Sequence, residues 1–298
     1  MTDRAVAVPR PLPAALSHEA HRGRRRIRAL LKHILLVVCV LAMLYPVLWM
    51  VVSSLRPNDE IFRHAGLALT QPRLENYSNG WNAFAQPFSH YLINSLIVVI
   101  GAILGNLLAC SMAAYAFARL EFKAKRLWFA IMLVTIMLPI HVIIVPQYVL
   151  FSELGWVNTF LPLIVPKFLA TDAFFIFLMV QFVRGIPREL DEAARIDGAG
   201  QARIFFHIIL PLMVPALATT AIFTFIWTWN DFYTQLIYLT DPTMYTTPLA
   251  LRAFVDQQTA TDWGSVFAMS VVSLVPVFLV FLAGQRFLLR GIATTGGK

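Results

Sequence analysis

The chain has 298 residues, of which 58% are apolar by type and only 13% are charged. Soluble domains carry about 25% charged residues, so roughly half the charge that would keep a surface wet is missing. The deficit lies in long apolar runs between short polar stretches, which excludes an ordinary soluble enzyme, a disordered chain and a disulfide scaffold, and describes a membrane protein crossing several times.

Residues 1–32 are rich in Pro, Ala and Arg, show no helical period and read as a disordered basic cytoplasmic tail. Its arginine cluster at 21–28 suits contact with anionic membrane lipid. A first transmembrane helix is expected over 33–55, too long and uninterrupted for a cleaved signal peptide. An extracytoplasmic loop follows over 56–90, with turn signals at Pro57-Asn58-Asp59 and Asn79-Gly80. Residues 91–290 hold five further spans, at 91–117, 127–151, 160–183, 208–232 and 265–289, and 291–298 form a cytoplasmic tail. The fold class is therefore an all-α membrane protein of six transmembrane helices. Cys39 and Cys110 each fall inside an apolar run and read as small buried hydrophobes.

Orientation follows from the cations. Nineteen Lys and Arg lie in the N-terminal tail, the links after spans two and four, and the C-terminal tail. Only Arg56, Arg63, Arg73 and Arg252 lie in the opposite loops, and Lys167 sits within a span. The positive-inside rule puts both termini in the cytoplasm, so the net charge of +8 is mostly topology and implies no nucleic-acid partner.

Ionisable groups at membrane depth are functional candidates. Lys167 and Asp172 would stand about 140° apart on a continuous helix and share no face. Lys167 can snorkel, whereas Asp172 needs a partner or water. Trp229, Asn230 and Asp231, with Trp227 and Tyr233, combine aromatic faces with hydrogen-bonding groups. That is the composition of a sugar site, and equally of an aromatic belt at the membrane surface. His141 reads as a satisfied bundle histidine. No catalytic or metal site is legible: His18-Glu19-Ala20-His21 has the wrong spacing for a zinc helix, and no Gly-rich phosphate loop ends in Gly-Lys-Ser/Thr.

The link at 184–207 differs from the other loops. Pro187 and the acids Glu189, Asp191 and Glu192 suit the start of a helix. Asp197-Gly198 supplies a stop, because glycine enters the left-handed region at little cost. A second helix then runs into span five, making an elbow at the cytoplasmic membrane face. Ala193 and Ala194 offer a flat surface edged by Glu192 and Arg195, and Ile196, Ile204 and Phe205 are apolar where the loop should be wet. Such a helix docks into a groove on a partner or rests on lipid headgroups.

Glu192-Ala193-Ala194, then Gly198, Ile208 and Leu210-Pro211, resembles the EAA signature of permease subunits of ABC importers. Supporting stretches include Glu75-Asn76-Tyr77, Asn94-Ser95-Leu96, Ala114-Tyr115 with Arg119, and Trp229-Asn230-Asp231-Phe232. The chain is similar to the carbohydrate class, and within it to the second permease subunit of maltose-type importers. The resemblance implies an importer permease domain over 91–290. Its elbow, with Glu192, Ala193, Ala194, Arg195, Asp197, Gly198, Ile208, Leu210 and Pro211, would couple to an ATPase. It implies a second homologous permease subunit, two cytoplasmic ATP-binding subunits and an extracellular solute-binding protein. This chain would bind no cofactor, with ATP and Mg on the partners. Similar proteins often end in Val-Lys-Gly, where this chain has Thr294-Thr295-Gly296-Gly297-Lys298. A glycerophosphate-type solute, or ion-coupled secondary transport through Asp172, are the alternatives.

Overall fold

The computed structural model describes residues 15–63, 66–69, 71–255 and 261–293, with side chains from residue 28 to 285 of these. The helices are α1 (Ala15–Ser53), α2 (Asn58–Ile61), α3 (Glu75–Trp81), α4 (Phe88–Arg119), α5 (Lys125–Thr135), α6 (Ile140–Glu153), α7 (Leu161–Ile164) and α8 (Ala173–Arg184). After them come α9 (Glu189–Ile196), α10 (Gln201–Ile204), α11 (Leu210–Leu212), α12 (Val214–Trp229), α13 (Tyr233–Tyr238), α14 (Thr247–Val255) and α15 (Trp263–Ala293). Among the described residues there is no strand.

Four helical stretches are long and apolar enough to cross a membrane: Arg28–Ser53, Phe88–Arg119, Leu161–Arg184 and Trp263–Gln285. Two more crossings exist if each of two bent pairs is one span. Lys125–Thr135 meets Ile140–Glu153 at 100°, and Gln201–Leu212 meets Val214–Trp229 at 73°. Spans three and five are therefore not the straight rods that hydropathy alone draws. Pro139 breaks the first pair, since it forces Leu138 out of helical geometry and restarts the chain at α6. In the second, Pro211 has no N–H for the carbonyl of His207, and residues Phe205–Ile209 widen into a π turn before it. Pro215 does the same to the next turn.

The N-terminal expectation also changes. α1 begins at Ala15, inside the stretch read as disordered. Pro9, Pro11 and Pro13 all precede it, and the Ala, Leu, Glu and Arg that follow are good helix formers. Residues 1–14 and the tail at 294–298 lie outside the described residues. Along most of its length α1 lies apart from the bundle, so Cys39 is exposed while Cys110 is buried. Its far end meets α15, where Trp49 packs edge-on against Phe267 at 5.3 Å between ring centres.

The centre of the bundle is α4, which packs against α8, α12, α14 and the 3₁₀ turn Val165–Leu169 after α7. Its inner face is built from small residues, Ala102, Gly105, Ala109, Ala114 and Ala118, all buried. Lipid tails are as apolar as leucine, so close van der Waals approach rather than hydrophobicity holds such helices together. Gly101 and Gly105 carry that approach furthest. A Cβ on Gly101 would come within 2.8 Å of Ile164, and one on Gly105 within 2.9 Å of the Lys167 backbone.

Polar contacts close the end of the bundle where α4 begins. Asn94 Nδ2 donates to the carbonyls of Thr243 at 3.1 Å and Tyr245 at 2.9 Å, and Ser95 Oγ exchanges bonds with Thr247. Asn76 Nδ2 caps the outgoing end of α1 through the carbonyls of Ser54 and Arg56. At the start of α15, Asn58 Nδ2 and Ser265 Oγ donate to Asp262 at 2.8 and 2.6 Å. Partial burial raises the Asp262 carboxyl, but hydrogen bonds from Ser265, Asn58 and Gly264 outweigh it and hold the group below the ordinary carboxylate range.

Gly105→Val places branched atoms against backbone that has nowhere to retreat. Overpacking of this kind costs about 1–3 kcal/mol. Thermal unfolding of the detergent-purified chain should show a lowered midpoint; an unchanged midpoint contradicts the close contact of α4 with the 3₁₀ turn.

Candidate functional site

Two features stand out: a polar cavity where the fourth crossing unwinds, and the elbow at the other end of α4. The cavity begins with Ala170, whose left-handed φ of +54° ends the 3₁₀ turn. Thr171 and Asp172 are not helical, and α8 starts at Ala173. Folding the chain back in this way joins two side chains that a straight helix would separate. Lys167 Nζ lies 2.9 Å from Asp172 Oδ2 and 3.1 Å from Oδ1. The expectation of separate faces is thus corrected, and its cause is the break in helical period at Ala170.

Asp172 is further held by Asn106, which is fully buried at the middle of α4. Asn106 Nδ2 donates to Asp172 Oδ2 at 2.7 Å and to Thr224 Oγ1 of α12 at 3.1 Å. One amide therefore ties α4, α8 and α12 together at membrane depth. Lys167 and Asp172 are partly exposed, and both face a cavity of about 770 Å³ whose polar wall also includes Gln147, Thr228, Asn230 and Asp231. Trp227 supplies an aromatic face to the same cavity. Asp231 lies just past the end of α12 and accepts from the Thr234 backbone N–H at 3.1 Å and from the Thr234 hydroxyl.

Trp229 does not belong to this wall. It is 3% exposed, stacks on Phe225 at 5.5 Å, and its indole N–H donates to the Ser273 carbonyl at 3.2 Å. Residues two apart on a helix point about 200° apart, to nearly opposite faces, and here the other tryptophan, Trp227, reaches the cavity. His141 and Tyr233 face each other with ring centres 5.0 Å apart and do not line it. Among the described residues no three His, Cys, Asp or Glu side chains gather to hold a metal.

The elbow is built by α9, a reversal and α10. Gly198 takes φ +80°, and the amides of Gly198 and Ala199 return to the carbonyls of Arg195 and Ala194 at 3.0 and 2.9 Å. This closes the helix end and turns the chain. Glu192, Ala193, Arg195 and Asp197 are exposed, and Ile196 is 87% exposed. Ala194 instead faces inward, and Ile204 and Phe205 are buried in the core with Tyr115, Met179 and Ile209. Of the three apolar residues expected on the surface, only Ile196 is there. The others serve packing, because α10 continues directly into the bundle. Ile208 and Leu210 are half-buried against that core, and Pro211 is exposed beside the π turn.

What holds the elbow was not legible as a site. Arg119, the last residue of α4, pairs with Asp191 of α9 at 3.0 Å, both side chains buried. Arg119 Nη2 also donates to the Ile186 carbonyl at 2.6 Å. Tyr115 Oη donates to Gln201 Oε1 of α10 at 2.7 Å. In the sequence Asp191 looks like one of three acids greeting a helix dipole. The available signal was its position three residues before Ala194, which puts both on one helical face.

Comparison with known proteins gives a consistent result. Residues 105–293 match the model of a family described as "Binding-protein-dependent transport system inner membrane component". The chain is 34% identical to a diacetylchitobiose uptake system permease protein of Streptomyces coelicolor, covering 91% of this chain and 89% of that protein. It is also 34% identical to a trehalose/maltose transport system permease protein of Thermococcus litoralis, covering 88% and 95%. In fold it is similar, with a TM-score of 0.77, to a chain from a bacterial ABC transporter involved in the import of the acidic polysaccharide alginate. That match has 22% identity and covers 88% of this chain and 96% of the other.

Removing one member of a buried ion pair leaves the other charge uncompensated and costs about 3–5 kcal/mol. Asp191→Ala should therefore lower the unfolding midpoint in detergent and speed tryptic cleavage at Arg188 and Arg195. The double change Arg119→Met with Asp191→Leu should recover most of the midpoint. Equal loss in both variants would show that Arg119 acts through Ile186 rather than Asp191.

Proposed function

The chain belongs to the family of binding-protein-dependent transport system inner membrane components, and from that premise we propose that it forms one half of the pore of an ATP-driven sugar importer. It is a multi-pass plasma-membrane protein. In this reading both termini are cytoplasmic, so the elbow faces the cytoplasm and the cavity opens toward the membrane's midplane. A second, similar permease completes the pore. Two ATP-binding subunits hold ATP and Mg, and an extracytoplasmic binding protein delivers the solute.

The observation that carries the substrate class is the charge of the cavity wall. Lys167, Asp172 and Asp231 are its charged residues among the described ones, and the one cation is neutralised by Asp172. A phosphate-bearing solute would find no free positive charge, whereas a neutral polyol finds hydrogen-bonding groups and the face of Trp227. The relatives named for diacetylchitobiose and for trehalose/maltose point the same way. A glycerophosphate-type solute is accordingly not favoured.

Coupling is assigned to the exposed rim of α9. Ile196 offers an apolar anchor beside Glu192 and Arg195, the pattern by which a short helix seats in a partner's groove. Movement of the ATPases would then pull on Arg119 through Asp191, and so on α4 and the cavity, as a rigid-body switch.

Two measurements test this reading. Ile196→Asp should weaken capture of the ATP-binding subunit at least tenfold, since loss of a central anchor costs about 2 kcal/mol or more. Membrane abundance should hold, because Ile196 is almost fully exposed among the described residues; undiminished capture contradicts the docking role. In proteoliposomes holding the whole complex, sugar uptake should require ATP and survive a protonophore. Uptake that persists without ATP and collapses with the proton gradient would instead make Asp172 an ion-coupling site.

A further inference from the structure

The five-residue link between α4 and α5, 120–124, borders a second concave site. It is a cavity of about 480 Å³ lined by Phe117, Glu121, Phe122, Lys125, Arg126, Phe129 and Arg184. Its floor is aromatic: Phe117 lies 5.7 Å from Phe122 and 5.4 Å from Phe129, and Phe129 lies 6.5 Å from Phe177. Its rim is basic. The Arg184 guanidinium sits over the Phe129 ring at 5.2 Å, and Arg126 projects from the first turn of α5. Lys125 is engaged by the Leu120 carbonyl at 2.7 Å and by Glu121 at 3.3 Å. Among the described residues neither Arg126 nor Arg184 has a carboxylate within salt-bridge distance.

The surroundings identify what these cations face. Leu127, Trp128 and Ile131 of α5 and Phe177 of α8 are exposed large apolar residues on the two helices that supply Arg126 and Arg184. An aromatic floor, two guanidinium groups without a carboxylate partner among the described residues, and exposed apolar side chains on α5 and α8 match the parts of a phospholipid at the hydrocarbon boundary. Arginine suits the phosphate because its planar fork donates two hydrogen bonds at once. Basic clefts between crossing helices are where acidic headgroups gather. The N-terminus of α5 adds to the positive potential, since Ala124 has no side chain to cap it.

We propose that this cleft binds the headgroup phosphate of an anionic phospholipid, with Arg126 and Arg184 as its ligands and the acyl chains against α5 and α8. The cleft shares no lining residue with the sugar cavity, meets the groove beside the elbow's rim at Glu121, and in this proposal holds α5 to α8 at the membrane surface. Glu121 opposes binding weakly, because its carboxylate is largely exposed and already beside Lys125.

Native mass spectrometry of the purified full chain in a non-ionic detergent, titrated with phosphatidylglycerol, reads the site directly. Each cation near an acidic headgroup contributes about fivefold, so Arg126→Gln with Arg184→Gln should weaken retention roughly twentyfold. Arg126→Gln alone, at an exposed position that cannot unfold the chain, should weaken it about fivefold. Equal retention by wild type and both variants overturns the proposal. So does protection by inorganic phosphate at the same concentration, which would mark a free-anion site. Loss of ATP-binding-subunit capture in the double variant would assign the cleft to that partner instead, and equally overturn it.

Discussion

Hydrocarbon offers no hydrogen bonds, so backbone that leaves helical geometry inside a membrane must be satisfied by protein or by enclosed water. This chain leaves it at Thr171-Asp172, where the Thr171 hydroxyl donates to the Pro166 carbonyl at 2.9 Å and the side chains gathered at the break pair with one another. Lys167 folds back onto Asp172, Asn106 reaches across from α4, and the remaining exposure opens onto a polar cavity. A continuous helix would have needed none of these groups. It would also have provided no place at membrane depth for a hydroxylated solute.

The same constraint explains the composition of α4. To deliver the Asn106 amide to two neighbours at once, α4 must lie close to both, and its small-residue face permits that. Gly105 faces the backbone of Lys167 itself, so the position of the cation depends on an absent side chain. The C-terminal end of this helix carries Arg119, thirteen residues and about 20 Å from Asn106. A single rigid rod thus joins the ion pair that seats the elbow to the amide that seats the acidic group of the cavity.

Hydropathy and charge distribution made the class legible: few charges, long apolar runs, cations on one side. The elbow was legible too, because Pro187, the acids after it and Asp197-Gly198 each have a local physical meaning. What remained hidden depended on long-range geometry. Lys167 and Asp172 read as separate because periodicity assumes an unbroken helix, and nothing in Leu169-Ala170-Thr171 announces a left-handed residue. Trp229 read as a sugar-facing aromatic, yet it is the packed one and Trp227 the exposed one, a distinction set by which face of α12 meets α15. Asp191 was overshadowed by Glu192 because a neighbour 72 residues earlier, Arg119, decides its role. Stretches that carried the family resemblance, Asn76 and Asn94-Ser95 among them, proved to be fasteners of the loops that flank α3 and α14.

Those fasteners bear on how the protein is made. Asn94 and Ser95 take partners 149 to 152 residues further along the chain, and Asn106 takes partners 66 and 118 residues further. Synthesis proceeds at about 5–20 residues per second, so α4 exists for roughly 8 to 30 seconds before its last companion emerges. Asn106 has no native acceptor until Asp172 is made, and Asn94 has none until Thr243 is. A ribosome-attached chain carrying α4 alone must therefore shelter it in the insertion machinery or against another protein, and release into free lipid awaits α12 and α14.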